Sequence, residues 1–113
     1  SKVINAQRKN YTVTLLFFWL QNVEVAIERV KTRVSEGGHN IETEVIKRRY
    51  INGIKNLFDI YITVVDEVLI YDNSGGKPEL IAEKTLESEI TIVNEIKFKK
   101  LKKQYYENVS KNC

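Results

Sequence analysis

Cationic side chains gather around a double glycine in the first half of this 113-residue sequence. Arg29 and Arg33 belong to an amphipathic helical pattern that stops at Gly37-Gly38-His39-Asn40, and a second helical pattern then carries Lys47-Arg48-Arg49-Tyr50. Like charges crowded around one turn repel each other and gain little from solvent alone. The arrangement therefore predicts an anion-binding site, and a phosphate-bearing ligand is the first expectation.

The composition describes a chain that can fold as one domain over 1–113. Its hydrophobic content of 42% is enough for an ordinary core at this length. The net charge of +3 is too small to make nucleic acid the expected partner. The one cysteine, Cys113, excludes an internal disulfide framework and a thiolate metal cluster, and a single histidine does not favour an imidazole metal site.

Hydropathy and cysteine usage together favour a cytoplasmic protein. The longest apolar run, Val13 to Leu20 interrupted by Thr14, is far shorter than the roughly 20 residues of a membrane helix. The start of the sequence lacks the apolar core of a signal peptide. We therefore expect no membrane partner and no export.

The first part of the chain predicts alternating helices and strands. Residues 2–10 read as the last turns of a helix whose final asparagine suits a left-handed cap. Residues 11–20 are β-branched and aromatic and become continuously apolar, which is typical of a strand buried on both faces. Asn22 is a good N-cap for the next helix, and Gly37 or Gly38 ends it.

The rest of the chain continues the pattern. A long helix is predicted over 42–66, with Gly53 marking close packing or a bend. The remaining predictions are a buried strand at 68–71, a turn over 72–78, antiparallel strands at 79–84 and 89–93 around a turn near Leu86-Glu87-Ser88, and a final helix over 95–108. The lysine-rich segment of that helix, 97–103, is expected to form a solvated face rather than to bind RNA.

This order of elements predicts an α/β fold with crossover connections. It supplies only two convincing parallel strands, fewer than a parallel sheet covered by helices normally has. The chain should therefore form only part of such a sheet, with one strand edge that lacks a partner. Because the strand at 11–20 is so apolar, we expect the isolated chain to self-associate, at least as a dimer.

Six short motifs follow one another in a specific order along the chain. They are Phe17-Phe18-Trp19-Leu20, Ala26-Ile27-Glu28-Arg29-Val30 with Arg33-Val34, Gly37-Gly38-His39, Val45-Ile46-Lys47-Arg48-Arg49-Tyr50, Asn56-Leu57-Phe58-Asp59-Ile60-Tyr61 and Tyr71-Asp72-Asn73-Ser74. Over residues 2–83 this series resembles the C-terminal half of zeta-toxin-like P-loop kinases.

The resemblance implies a small ATP-dependent phosphotransferase with an adenylate-kinase-like layout. The fold it implies is a partial P-loop kinase-like three-layer structure with an incomplete parallel sheet and a small antiparallel extension. Residues 29–50 would then form a helical lid that closes over nucleotide phosphates. ATP and Mg²⁺ are the implied cofactors of the complete family protein, and a nucleotide sugar is the associated substrate.

Within that resemblance Arg33, Arg48 and Arg49 are the expected catalytic residues, and Arg29 and His39 are expected to bind the cofactor. A phosphoryl-transfer transition state spreads negative charge over equatorial oxygens, which the planar guanidinium fork can meet bidentately. The alternative is that the arginines only solvate helix faces or pair with nearby carboxylates, namely Glu24, Glu28, Glu36 and Glu44.

Other members of the implied site also have structural interpretations. Gly37 and Gly38 together suit a hinge as well as a helix end, because the pair permits large backbone rotation. His39 either bonds phosphate or substrate or, by preference, makes a helix-terminal bond. Asn73 and Ser74 are placed near adenine by the resemblance, and an Asx-turn that reverses the chain explains them equally well.

The sequence contains no P-loop motif. None of its five glycines lies in a Gly-x-x-x-x-Gly-Lys-Ser/Thr arrangement, which holds the triphosphate and its Mg²⁺. In related kinases this loop and the general base lie in the N-terminal half, so both would precede Ser1. We therefore expect no catalysis and no tightly bound cofactor for this chain alone, with small-molecule substrate contacts supplied by pairing with an N-terminal segment. The competing class is a non-catalytic module that binds a protein or an anion.

Overall fold

The computed structural model describes residues 2–86 and 88–111 as an α/β fold built on a four-stranded mixed sheet. Cys113, and the Glu87 of the predicted turn, lie outside the described residues. In chain order the elements are α1 (Lys2–Arg8), β1 (Thr14–Trp19), α2 (Val23–Ser35), α3 (Thr43–Asn56), a π-helical turn (Leu57–Tyr61), α4 (Ile62–Val64), β2 (Glu67–Asp72), β3 (Glu79–Lys84), β4 (Thr91–Ile92) and α5 (Glu95–Lys111).

The sheet contains one parallel pair and two antiparallel pairs. β1 and β2 run parallel, from Thr14 opposite Glu67 to Trp19 opposite Asp72. β3 is antiparallel to both of its neighbours, β2 and β4, so the predicted antiparallel extension is confirmed. The strand order β1-β2-β3-β4 leaves one edge of β1 unpaired among the described residues, as expected.

The prediction that the first strand is buried on both faces is wrong. Leu16 and Phe18 each keep 50% of their surface exposed, whereas Trp19 keeps 1%. Successive side chains of a strand point to opposite faces. The core lies on the Trp19 side of the sheet, where α3 supplies Ile54 and α5 supplies Phe98. The other face of β1 is half open despite its apolar composition.

Two asparagines mark element boundaries as predicted. Asn10 has a φ of 67° and its N–H donates to the carbonyl of Gln7 at 3.0 Å, which confirms the left-handed residue after the first helix. The Asn22 side chain accepts a hydrogen bond of 3.0 Å from the N–H of Val25 and so caps α2.

The long helix predicted over 42–66 is present but not regular. α3 passes directly into the π-helical turn, and α4 ends at Val64. A π-helical turn inserts extra backbone into the helix, which rotates the residues after it relative to the stripe before it. The close-packing interpretation of Gly53 is wrong, because a Cβ at that position would meet nothing within 4 Å.

The final helix runs three residues past its predicted end, to Lys111. Its outer lysines, Lys99, Lys100, Lys102 and Lys103, are exposed as expected for a solvated face. Lys97 differs, because it turns inward to two carboxylates. None of the helices in the described ranges is long and apolar enough to span a membrane.

Candidate functional site

A pocket of about 330 Å³ opens where α2 and α3 meet the ends of the two parallel strands. Phe18 and Leu20 line it from the end of β1, Asn73 follows the end of β2, and Ile41 comes from the connection between the helices. Open α/β sheets bind ligands at the carboxyl ends of their strands. The pocket therefore occupies the position where this topology places a ligand site.

One face of each helix supplies the rest of the lining. The α2 residues are Ala26, Arg29, Val30 and Arg33, and the α3 residues are Ile46, Arg49 and Tyr50. These spacings of three, four and seven residues are those of neighbours on one helical face. The helical period thus brings three of the four predicted arginines into one pocket, each flanked by apolar side chains.

The end of α2 is held by two backbone hydrogen bonds. The N–H of Gly37 donates to the carbonyl of Val34 at 3.0 Å, and the N–H of Gly38 donates to the carbonyl of Arg33 at 2.6 Å. Together with the φ of +97° at Gly37, this is a Schellman motif. A Cβ on Gly38 would lie 2.8 Å from the Arg33 carbonyl oxygen, so close backbone approach explains the second glycine. Whether the pair is also a hinge stays a prediction.

The predicted arginines have no carboxylate partners among the described residues. Glu28 pairs with Lys31 at 3.5 Å and Glu44 pairs with Lys47 at 3.8 Å. Arg29, which is half-buried, donates from Nη2 to the backbone carbonyl of Asn73. Pairing of these arginines with carboxylates is thus not seen among the described residues, and the pocket keeps an excess of positive charge. Arg33, Arg48 and Arg49 are exposed, so the alternative that they solvate helix faces stays a prediction.

Arg48 and His39 are not brought to the pocket. Arg48 is exposed and, one residue before Arg49, points about 100° away around the helix. His39 is exposed and its side chain makes no hydrogen bond with any described residue, so the preferred helix-terminal bond is not formed. Arg33 and Arg49 are exposed as well, but unlike Arg48 and His39 they line the pocket.

Ser74 has a structural task beside the pocket. Its N–H donates to Asp72 Oδ1 at 2.9 Å, and its Oγ accepts from the N–H of Gln21 at 2.8 Å. The first of these bonds is that of an Asx-turn. Asn73 is held by the bond from its N–H to the carbonyl of Trp19 at 2.7 Å, and it alone of the two predicted residues lines the pocket.

Asp72, for which the sequence predicted only a place in a turn motif, is a buried carboxylate. It is 4% exposed and also accepts from Gln21 Nε2 and Lys97 Nζ, both at 2.8 Å. Burial by itself raises the pKa of Asp72, but the bonds from Lys97, Ser74 and Gln21 outweigh it and hold that pKa well below its usual range. Lys97 also contacts Glu79 Oε1 at 2.6 Å, so one ammonium serves two carboxylates.

A second network fixes the pocket wall on α3. The Tyr50 hydroxyl lies 2.6 Å from the Leu20 carbonyl and 3.1 Å from Gln104 Oε1, which also accepts from Trp19 Nε1 at 3.0 Å. Gln104 Nε2 donates to the Gln21 carbonyl at 2.7 Å. Burial is the main reason that the pKa of Tyr50 is raised, so the phenol is neutral at physiological pH.

Comparison with protein-family models, with curated proteins and with solved structures finds no match to this chain.

Proposed function

We propose that this chain is the phosphate-binding, lid-bearing part of a zeta-toxin-like, ATP-dependent small-molecule kinase. The observation that carries the proposal is that Arg29, Arg33 and Arg49 line one pocket at the carboxyl ends of a parallel strand pair, without a carboxylate partner among the described residues. Guanidinium groups in that position meet phosphate oxygens bidentately and offset charge that develops during phosphoryl transfer. The three-layer kinase-like arrangement and a cytoplasmic location belong to the same proposal.

The chain's own contribution in this role is to bind and orient phosphate. The pocket lining contains no carboxylate, so it fits phosphate but supplies neither a strong Mg²⁺ ligand nor a carboxylate general base. The sequence also has no P-loop motif. Transfer of a phosphoryl group to a substrate hydroxyl, that of a nucleotide sugar by the resemblance, would therefore require a P-loop on another segment.

A titration with pyrophosphate at fixed ionic strength tests the phosphate site. We expect chemical-shift changes in amide spectra around the pocket that saturate at millimolar ligand, because three arginines bind an anion without a phosphate cradle. Arg49→Gln should weaken pyrophosphate binding about tenfold, which corresponds to the loss of one charge-assisted contact of ~1.4 kcal/mol.

Arg48→Gln is the matched control, since it removes the same charge from an equally exposed residue of α3 that does not line the pocket. It should leave the affinity within about twofold, as expected of a screened surface charge. Equal losses for the two variants, or the absence of binding up to tens of millimolar, would contradict the proposed site.

A non-catalytic anion-binding module is the second candidate, because the pocket lining has no carboxylate and residues 1–113 contain no P-loop motif. The two candidates differ in what is encoded in frame ahead of Ser1. A Gly-x-x-x-x-Gly-Lys-Ser/Thr motif there supports the kinase. If the reading frame has no such motif and the chain still binds pyrophosphate through Arg49, the module is the correct description.

A further inference from the structure

Of the three arginines that line the pocket, Arg29 is the one whose guanidinium is tethered. It is half-buried and donates from Nη2 to the backbone carbonyl of Asn73. Arg33 and Arg49 are exposed, and their side chains make no hydrogen bond with any described residue. A guanidinium carries five N–H donors, so the bond to the carbonyl leaves four for an anion. Arg29 is therefore a pocket cation that is already in place before a ligand arrives.

The group that holds Arg29 belongs to the peptide unit between Asn73 and Ser74. The carbonyl of this unit accepts from Arg29, and its N–H donates to Asp72 Oδ1 at 2.9 Å. A trans peptide is planar, and its C=O and N–H point in opposite directions. The bond to the carboxylate on one side of the peptide therefore aims the carbonyl at the arginine on the other side.

The carboxylate at the start of this chain of contacts is itself held. Asp72 is 4% exposed, and its Oδ2 accepts from Gln21 Nε2 and from Lys97 Nζ, both at 2.8 Å. Two donors on Oδ2 keep Oδ1 on the N–H of Ser74, and hydrogen bonds to an ionised group are stronger than those between neutral groups. The direction of the Asn73 carbonyl thus depends on a buried group with little freedom to rotate.

We propose that Asp72 is a positioning residue of the phosphate site, which aims the guanidinium of Arg29 through the peptide unit between Asn73 and Ser74. The proposal rests on the phosphate site proposed above and adds a residue that does not line the pocket. An arginine that is already held loses less side-chain entropy when an anion binds than one that must first be ordered. Asp72 thus raises the affinity for phosphate although its own charge is negative.

The test is a pyrophosphate titration of Asp72→Ala at fixed ionic strength. The variant should bind about fivefold more weakly than the wild type, as expected when one long side chain must be ordered on binding. The direction of the change is informative, because removal of a negative charge from the neighbourhood of an anion would by Coulomb's law alone strengthen binding.

Glu79→Ala is the matched control. It removes the same charge from the other carboxylate that contacts Lys97, at 2.6 Å, and Glu79 makes no bond to the peptide unit that holds Arg29. Its affinity for pyrophosphate should stay within about twofold of the wild type, as expected for the loss of an exposed charge.

A second measurement separates positioning from a general loosening of the fold. If Asp72 acts through Arg29, the effects of changing the two residues are not additive. Asp72→Ala should therefore cause no further loss of affinity in a chain that already carries Arg29→Gln. A general disturbance of the pocket would weaken binding in both backgrounds.

Ser74→Ala provides the test if circular dichroism shows that Asp72→Ala is not folded. The Oγ of Ser74 accepts from the N–H of Gln21 at 2.8 Å, so this hydroxyl restrains the same turn. Its removal should weaken pyrophosphate binding about threefold, and only where Arg29 is present.

The outcomes separate the two proposals. Unchanged or tighter pyrophosphate binding by folded Asp72→Ala, or by Ser74→Ala in its place, overturns the positioning role and leaves the phosphate site standing. An equal loss in the Arg29→Gln background has the same meaning. Absence of pyrophosphate binding by the wild type overturns the phosphate site, and the positioning role with it.

Discussion

At the scale of single residues, Asp72 shows how a side chain outside the pocket holds the pocket's rim in place. Its carboxylate fixes the N–H of Ser74, whose Oγ in turn receives the N–H of Gln21. Asn73 lies between Asp72 and Ser74 in the sequence, and its carbonyl accepts a hydrogen bond from Arg29. The position of one pocket arginine thus depends on a loop that a buried carboxylate organises.

Asp72→Asn should lower the free energy of unfolding by roughly 1–3 kcal/mol at pH 7, because the ammonium of Lys97 loses its buried charged acceptor. The folded-state pKa of Asp72 lies below the unfolded value of about 3.9, so the carboxylate stabilises the fold above about pH 4 and this stabilisation is lost as pH falls below it. Urea unfolding followed by circular dichroism at pH 7 and near pH 2 should therefore show a difference between wild type and variant that shrinks in acid.

Glu79→Gln is the control for this measurement. It removes the same charge from the other carboxylate beside Lys97, but Glu79 has an exposed side chain, so the loss should be smaller. Equal losses of unfolding free energy for Asp72→Asn and Glu79→Gln at pH 7 would contradict a special contribution of the buried Asp72 to stability. A difference between Asp72→Asn and wild type that does not change with pH would contradict it as well.

The roles of some of these residues follow from the sequence, and those of others do not. The alternation of Val68, Ile70 and Asp72 along β2 already places Asp72 on the buried face. The contact between Asp72 and Lys97 could not be foreseen, because it joins residues far apart in sequence whose meeting depends on how α5 docks. Which predicted arginines share the pocket follows from the helical period, which sets Arg49 and Arg48 on different sides of α3.

At the scale of elements, Gly38 after α2 and Gly53 inside α3 have opposite requirements. Gly38 is required because any side chain would press on the Arg33 carbonyl at 2.8 Å. Gly53 lies inside α3 with open space around it. The sequence predicted a helix end or a hinge at Gly38 and close packing or a bend at Gly53. In the structure, contacts with neighbouring atoms require a glycine only at position 38.

Gly38→Ala should destabilise the fold by about 1–3 kcal/mol because the Schellman motif at the end of α2 must shift. Gly53→Ala should stabilise it by roughly 0.5–1 kcal/mol, because alanine is the better helix former and its methyl group meets no neighbour. Thermal unfolding of both variants beside the wild type checks the opposite signs. A stabilised Gly38→Ala would show that the close approach is not a constraint.

Element boundaries were mostly predictable, and their irregularities were not. Some boundaries follow from the properties of single residues. Asn10 and Gly37 tolerate a positive φ, and the side chain of Asn22 caps a helix. The π-helical turn has no such sequence signature, because residues 57–61 continue the helical pattern. Its extra backbone depends on tertiary packing, which the local sequence does not specify.

At the scale of the whole molecule, the outer edge of β1 is an open pairing surface. Among the described residues it has no strand beside it. The sequence has no charged residue and no proline between Lys9 and Glu24, so the usual protections of an edge strand are missing. An antiparallel pairing of two copies about a two-fold axis would bring no like charges together across this edge.

We expect the purified chain to be at least dimeric at micromolar concentration, measured by light scattering with size-exclusion chromatography. Leu16→Lys places a protective charge in the middle of β1 at a position that is already half exposed, so it should give a monomer without unfolding the chain. A monodisperse wild-type monomer would contradict pairing through this edge.

The overall architecture was predicted to the level that periodicity allows. The α/β class, the parallel pair and the antiparallel extension follow from hydrophobic patterns and turn residues, and the structure confirms them. The burial of β1 was not predicted correctly, because an apolar run cannot tell whether both faces find helices to cover them.

The hydrogen bonds around Gln104 offer a way to follow ligand binding at the pocket by fluorescence. The chain has a single tryptophan, Trp19, and its indole N–H shares the Gln104 oxygen with the hydroxyl of Tyr50 on the pocket wall. A ligand that displaces Tyr50 from Gln104 would change the polarity around the indole. If the proposed ligand binds in this way, we expect the intrinsic fluorescence of Trp19 to report pocket occupancy without an added dye or a labelled ligand.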